Sequence, residues 1–196
     1  EYAAFISYRH LPLDAKVAKK VQRAIEGFTL PRGVRATQSE RSGQPGHPRG
    51  RAMRLGRCFR DEDELAASHS LPERIEEALA RSRTLIVICT PAANESAWVQ
   101  REIEGFIRLH GRERVICVLA DGSSSESIPT ILRSPDAGKA PDSIPQPSDN
   151  PLAADLRPQA KRKHASEMLR IIAAVADRGY DDLQQRQRKR QHRRVA

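Results

Sequence analysis

Five short blocks along the chain are apolar without alternation or with a polar end, and the stretches between them carry helical or loop patterns. Residues 3–8 (AAFISY) and 55–59 (LGRCF) can each supply a strand, and 84–90 (TLIVICT) and 115–119 (VICVL) are unbroken stretches of Val, Ile, Leu, Cys and Thr. Such continuous apolar runs predict strands buried on both faces of a parallel sheet, too short to be buried helices. Residues 152–156, closed by Pro158, predict a fifth strand at the edge. Between them, Val17, Val21 and Ile25 recur at helical spacing over residues 15–27, with Asp14 expected as the N-cap. Ser70 and Glu73 form a capping-box pattern ahead of a helix that turns Ile75, Ala78 and Leu79 inward. From about residue 95, Ile103, Phe106 and Ile107 mark one helix face, with Trp98 and Glu102 four residues apart on one side of that helix. A last amphipathic helix over 160–176 is expected to bury Ala165, Met168, Leu169, Ile172 and Val175.

Strand and helix in alternation predict an α/β fold, a parallel sheet with helices on both faces. In a five-stranded, flavodoxin-like order 2-1-3-4-5 the chain reverses direction between strands one and three, and the crevice lies there. That crevice would collect Ser7, Tyr8, Arg9 and His10 after strand one, and the helix carrying Trp98 and Glu102 after strand three. Two long stretches, about 29–54 and 121–151, are rich in Pro, Gly and Ser and read as loops, with a brief helix expected near 128–132. The domain is expected to span 1–178, and 179–196 to form a basic helical tail or a linker to a further region.

Composition adds to this picture unevenly. The formal charge is +9 over 196 residues. Residues 157–196 hold 12 Lys or Arg against 4 Asp or Glu, so the tail carries +8 and the rest of the chain +1. Cys58, Cys89 and Cys117 stand far apart among apolar neighbours and are expected to be reduced core thiols. No apolar run approaches the roughly 18 residues needed to cross a bilayer. The chain opens inside a strand, which suggests a piece of something longer.

The familiar signatures of several chemistries are missing. There is no Gly-x-Gly-x-x-Gly after strand one and no Walker loop, and the six histidines show no paired metal-ligand spacing, so no metal site is expected. What remains is Glu102 beside an aromatic, with cations near. That set suits an anionic substrate whose cleavage develops positive charge on a sugar carbon, with Arg9 holding phosphate and Trp98 stacking on a base. The plainer alternative is a surface glutamate and a core tryptophan.

Four motifs in order, FISYRH at 5–10, CFRDEDELAAS at 58–68, IVICTP ending at Pro91 and SAWVQREIE at 96–104, closely resemble the Toll/interleukin-1 receptor (TIR) domain in its bacterial form. The resemblance covers residues 2–119 most firmly. It implies an enzyme that cleaves nicotinamide from NAD, with NAD as substrate and no cofactor, giving ADP-ribose or a cyclic ADP-ribose in immune or stress signalling. It implies Glu102 as the catalytic carboxylate, four residues after Trp98. For substrate binding it implies Ser7, Tyr8 and Arg9 at the end of strand one, and Arg60, Asp61 and Leu65 after strand two. It implies activation by self-assembly through TIR–TIR contacts, a sensor or membrane domain elsewhere in the full chain, and a cytoplasmic location tethered in some arrangements to the inner face of the membrane. The alternative under the same resemblance is a non-catalytic TIR–TIR interaction module. Nucleic-acid binding through the basic tail is a third reading, disfavoured because the tail lacks interleaved aromatics, so no specific nucleic acid is expected.

Overall fold

The computed structural model describes residues 1–30, 54–60, 71–133, 152–181 and 183–185. Five strands, β1 (Ala4–Ser7), β2 (Cys58–Arg60), β3 (Leu85–Cys89), β4 (Val115–Leu119) and β5 (Leu152–Asp155), form one sheet in the order β2-β1-β3-β4-β5. Every pairing is parallel, with Phe5 opposite both Phe59 and Leu85, and Val87 opposite Cys117. The helices are α1 (Pro12–Gly27), α2 (Leu71–Ala80), α3 (Pro91–Asn94), α4 (Ala97–His110), α5 (Ser124–Ser127), α6 (Thr130–Arg133) and α7 (His164–Val175). Two 3-10 turns, Arg112–Arg114 and Pro158–Lys163, precede β4 and α7.

The period of two along each central strand divides the core in two. Ala4, Ile6, Ile86, Ile88, Ile116 and Val118 meet Val17, Val21 and Ile25 of α1 and Leu169, Ile171 and Ile172 of α7. On the other face Phe5, Leu85, Val87 and Val115 meet Ile75 and Leu79 of α2 and Val99, Ile103 and Phe106 of α4. Burial on both faces is why the strands carry no polar alternation. From β1 the chain crosses on the α1 face to the edge strand β2, then returns past β1 on the α2 face to β3. A constant crossover hand requires that change of face wherever the direction of travel reverses.

Local details depart from the sequence pattern for identifiable reasons. The second strand was expected over 55–59, yet pairing begins at Cys58, because Gly56 adopts φ +115 and brings the chain against Ala3. Leu55 is still buried, and its carbonyl accepts a 2.7 Å hydrogen bond from Arg83. Helix α1 starts three residues before the expected 15, with Leu11 at the N-cap and Pro12 in the first position. Proline suits that position since its missing N–H would be unpaired there anyway. Asp14 is therefore not the cap but a first-turn side chain. The last helix begins at His164 after a 3-10 turn, which rotates its inner face: Ala165 is exposed and Met168 half-buried, while Ile171 and Ala173 join the core. Asp155 ends β5 and receives two hydrogen bonds from the Arg157 guanidinium, at 2.9 and 2.7 Å, which hold its carboxyl below its ordinary value.

The three cysteines are free and buried. Burial, with the charge of nearby Glu26, pushes the Cys58 thiol up to about 12. Cys89 is raised as well, by its contact with Cys117 and by burial. Raised thiols are poor nucleophiles, so all the geometry here is that of core filling. No helix among the described residues is long and apolar enough to cross a membrane.

Leu183, beyond α7, is 1% exposed and packs into the α1/α7 core. Leu183→Ala should lower unfolding stability by about 2–5 kcal/mol, the range for truncating a buried leucine, read from urea denaturation. A loss under about 0.5 kcal/mol, the level of a surface substitution, would show that this segment adds nothing to the core.

Candidate active site

Helix α4 is capped by Ser96, whose hydroxyl accepts from the Val99 N–H at 3.4 Å. Its inward stripe runs Val99, Ile103 and Phe106, all fully buried, and Glu102 lies in the same stripe at 4% exposure. A carboxylate in such a position needs hydrogen-bond donors to offset its lost hydration. Two donors meet it. Ser7, last residue of β1 and on the α4 face of the sheet, donates its hydroxyl to Glu102 Oε2 at 2.5 Å. Trp98, one turn earlier on α4, donates its indole N–H to Glu102 Oε1 at 3.0 Å. The contact joins β1 to α4 across 95 residues of sequence, at the switch point between β1 and β3.

Trp98 is 36% exposed. Its N–H edge is committed to Glu102 and part of its ring faces solvent beside the carboxylate. The expected pairing of an aromatic and a carboxylate on one helix face is therefore present, and a hydrogen bond links them as well as shared orientation. A carboxylate held by these two hydrogen bonds is fixed in orientation, an arrangement suited to stabilising a cationic centre placed next to it.

The other expected site residues are arranged differently. Tyr8 follows Ser7 and so points to the opposite face of the sheet, where it is 2% exposed in the α1/α7 core. Arg60, which opens a run of charged residues, is the buried end of β2. Its guanidinium donates to Gln22 of α1 at 3.1 Å and to the Tyr8 hydroxyl at 3.3 Å. Tyr8 and Arg60 thus form a second polar group with Gln22, on the other side of β1 from Glu102. The His10 ring lies 5.0 Å from the Tyr8 ring. Arg9 is exposed at the crevice rim, with one guanidinium N–H bound to the Ala92 carbonyl at 2.9 Å. An arginine has five such donors, so this bond orients the group without using it up. Asp61 and Leu65 lie outside the described residues.

Asp14 has a place in this site that its pattern does not predict. Asp14, 1% exposed, accepts a 3.1 Å hydrogen bond from the Thr90 hydroxyl, and that same oxygen accepts from Ala93 N–H at 3.2 Å to cap α3. Asp14 thereby ties the first turn of α1 to the turn that leads into α4, and Arg9 ties into the same turn at Ala92. Pro12 was the available signal: a proline at the first helical position places the cap at residue 11. Burial raises the Asp14 carboxyl above its ordinary 3.8, with the Asp121 charge adding to the rise, while Thr90 and the Arg9 charge oppose it.

The model of the TIR domain family matches residues 4–139. Over 121 residues, 62% of the chain, the sequence is 34% identical to a protein named NAD(+) hydrolase ApTIR from Actinoplanes sp., of whose length the chain spans 14%. Among solved structures, a metazoan TIR-STING receptor from C. gigas in complex with 2',3'-cGAMP aligns with a TM-score of 0.50 at 16% identity, over 89% of this chain and 39% of that one, a likeness of fold. The TIR domains of the activated Roq1 resistosome align with a TM-score of 0.43 at 18% identity, over 68% of this chain and 63% of that one.

The Asp14 environment makes a stability prediction whose sign is fixed. The folded protein holds this proton more tightly than the unfolded chain, so the carboxyl favours folding below pH 3.8 and that contribution is lost as pH rises through its raised folded value. Asp14→Asn should remove this falling component from the acid side of the stability curve, measured by urea denaturation at steps from about pH 3 to 7. An unchanged curve would mean that Asp14 does not titrate with folding.

Proposed function

The chain belongs to the TIR domain family, and from that membership we propose that it is an NAD+ hydrolase whose catalytic carboxylate is Glu102. The observation that carries the proposal is the buried carboxylate at the β1/β3 switch point, gripped by Ser7 and Trp98. The named activity of the Actinoplanes relative supports it.

In this reading the bond between the nicotinamide nitrogen and the ribose C1′ breaks with its electron pair going to the ring. Nicotinamide leaves neutral, and C1′ takes up oxocarbenium character. Glu102 stabilises that centre by its charge. Ser7 and Trp98 hold the carboxylate in place, so little reorganisation is needed as the charge develops. Water then adds to C1′ and loses a proton, giving ADP-ribose; attack by a nitrogen of the adenine in place of water would give a cyclic product. The exposed part of the Trp98 ring offers a stacking surface for a base. Arg9 at the rim supplies its remaining N–H donors to the pyrophosphate. Tyr8 and Arg60, bonded to each other on the opposite side of β1, support the end of that strand from behind. We further propose that assembly through TIR–TIR contacts brings the domain to full activity, and that residues 179–196 lead to a region with a sensing role in immune or stress signalling.

The test is release of free nicotinamide from NAD by concentrated protein, followed by chromatography. Glu102→Gln keeps size and one acceptor oxygen but removes the charge, and turnover should fall about a hundredfold or more with the thermal midpoint little changed. Ser7→Ala and Trp98→Phe each remove one hydrogen bond to the carboxylate and should cost about ten- to a hundredfold, the value of a bond to a charged group. Arg9→Ala should raise KM with less effect on kcat, since a phosphate contact exists before and during cleavage alike. Equal turnover by Glu102→Gln and wild type would refute the assignment. If the assembled wild type releases no nicotinamide, the domain is an interaction module.

A further inference from the structure

Helices α1 and α7 lie side by side on the sheet face away from α4, and their outward surface is cationic. On α1, Lys16, Lys19, Lys20 and Arg23 are all exposed. In the turn before α7, Lys161, Arg162 and Lys163 are exposed as well. The two groups meet where the Lys20 ammonium donates to His164 Nδ1 at 3.2 Å. The acids on these elements are turned away from that surface. Asp14 is buried, Glu26 is half-buried with its carboxylate on the Cys58 N–H at 2.9 Å, and Glu167 is paired with Arg170 at 3.3 Å.

This charge is not neutralised by its own elements, and it opposes their stability. Lys16 and Lys20, and Lys19 and Arg23, are like charges four residues apart on one helix. Lys16 also sits near the positive end of the α1 dipole. An external polyanion would relieve both. The patch has an apolar end too: Leu11 is 41% exposed and Leu13 39%. Leu13 stands three and seven residues before Lys16 and Lys20, on the same outward stripe of α1.

We propose that the α1/α7 face is a docking surface for an anionic phospholipid bilayer. A bilayer surface satisfies both parts of the patch, since headgroup phosphates draw the cations while leucines reach the boundary of the acyl chains. A nucleic-acid backbone would use only the cations. Five of the seven cations are lysines, which act as point charges and not as the bidentate forks that favour arginine at phosphodiester contacts. The patch has no exposed aromatic on which bases could stack.

Co-sedimentation of the full chain with vesicles tests this, using phosphatidylcholine containing about one-third phosphatidylserine, and phosphatidylcholine alone, at about 0.1 M salt. The protein should pellet with the anionic vesicles only. Substituting Gln at all four α1 cations (K16Q, K19Q, K20Q and R23Q together) should reduce partitioning about a hundredfold or more, at roughly fivefold per cation near the surface. Leu13→Gln should weaken vesicle binding severalfold and leave any binding to a short DNA duplex unchanged. All five positions are exposed, so circular dichroism should match wild type and the thermal midpoints should not fall. Equal binding to neutral vesicles would overturn the proposal, as would wild-type binding by the quadruple variant, which would assign attraction to the basic residues beyond 185. A DNA duplex bound more tightly than the anionic vesicles, with Leu13→Gln affecting neither, would also overturn it, in favour of nucleic acid.

Discussion

The structure turns on one costly placement, a carboxylate at a core position of α4. Glu102 occupies the stripe that Val99, Ile103 and Phe106 fill with hydrocarbon, and at 4% exposure it has given up nearly all of its hydration. The loss is tolerable because a hydroxyl and an indole N–H arrive with the right geometry. That requirement reaches far into the fold. Ser7 must end β1 facing α4, which needs the register of Phe5 against Leu85 and Ser7 against Val87. The start of α4 must lie just beyond the end of β3, which the Thr90 and Ser96 caps arrange. An error of one residue in the strand register would turn Ser7 to the α1 face and leave Glu102 with one donor fewer.

Around that pair the sheet acts as a partition. Ser7, Glu102 and Trp98 lie on one side of β1, and Tyr8, Arg60 and Gln22 on the other, so the polar residues at the crevice form two linked groups where a single cluster was expected. Asp14, Thr90 and Arg9 fasten the rim between them by gripping the turn over residues 90–93. Rigid support of this kind matters for charge stabilisation, because a carboxylate that had to reorient during bond cleavage would lose much of its effect. The core on the far side, between the sheet and α1 with α7, is as apolar as the near one, yet its outer surface carries most of the exposed lysines of the described chain.

Much of this was legible in the order of residues because the relevant signals are local. Continuous runs of Val, Ile and Leu mark central strands, since any strand covered on both faces must be apolar throughout. The spacing of Trp98 and Glu102 put them on one helix face whatever surrounds that helix. Errors arose where a contact distant in sequence overrode a local preference. Asp14 has the identity of a cap but is drawn into the core by Thr90, 76 residues away. Arg60 belongs to a run of charges, yet Tyr8 and Gln22 supply acceptors that let it be buried. Ala165 fits the apolar period of the last helix but is turned outward by the 3-10 turn before it.

Alternation and hydrophobic period were enough to read the fold class and, once a flavodoxin-like order is taken, the residues at the switch point. Which of those residues touch is settled by the folded chain. Whether neighbours such as Ser7 and Tyr8 share a site or are divided by a sheet depends on strand register and face. Whether Glu102 is a surface charge or a buried one depends on donors from a strand 95 residues earlier. A hydrogen bond of that kind has no signature in local composition, since its energy comes from desolvation and geometry that exist only when the chain has closed around it.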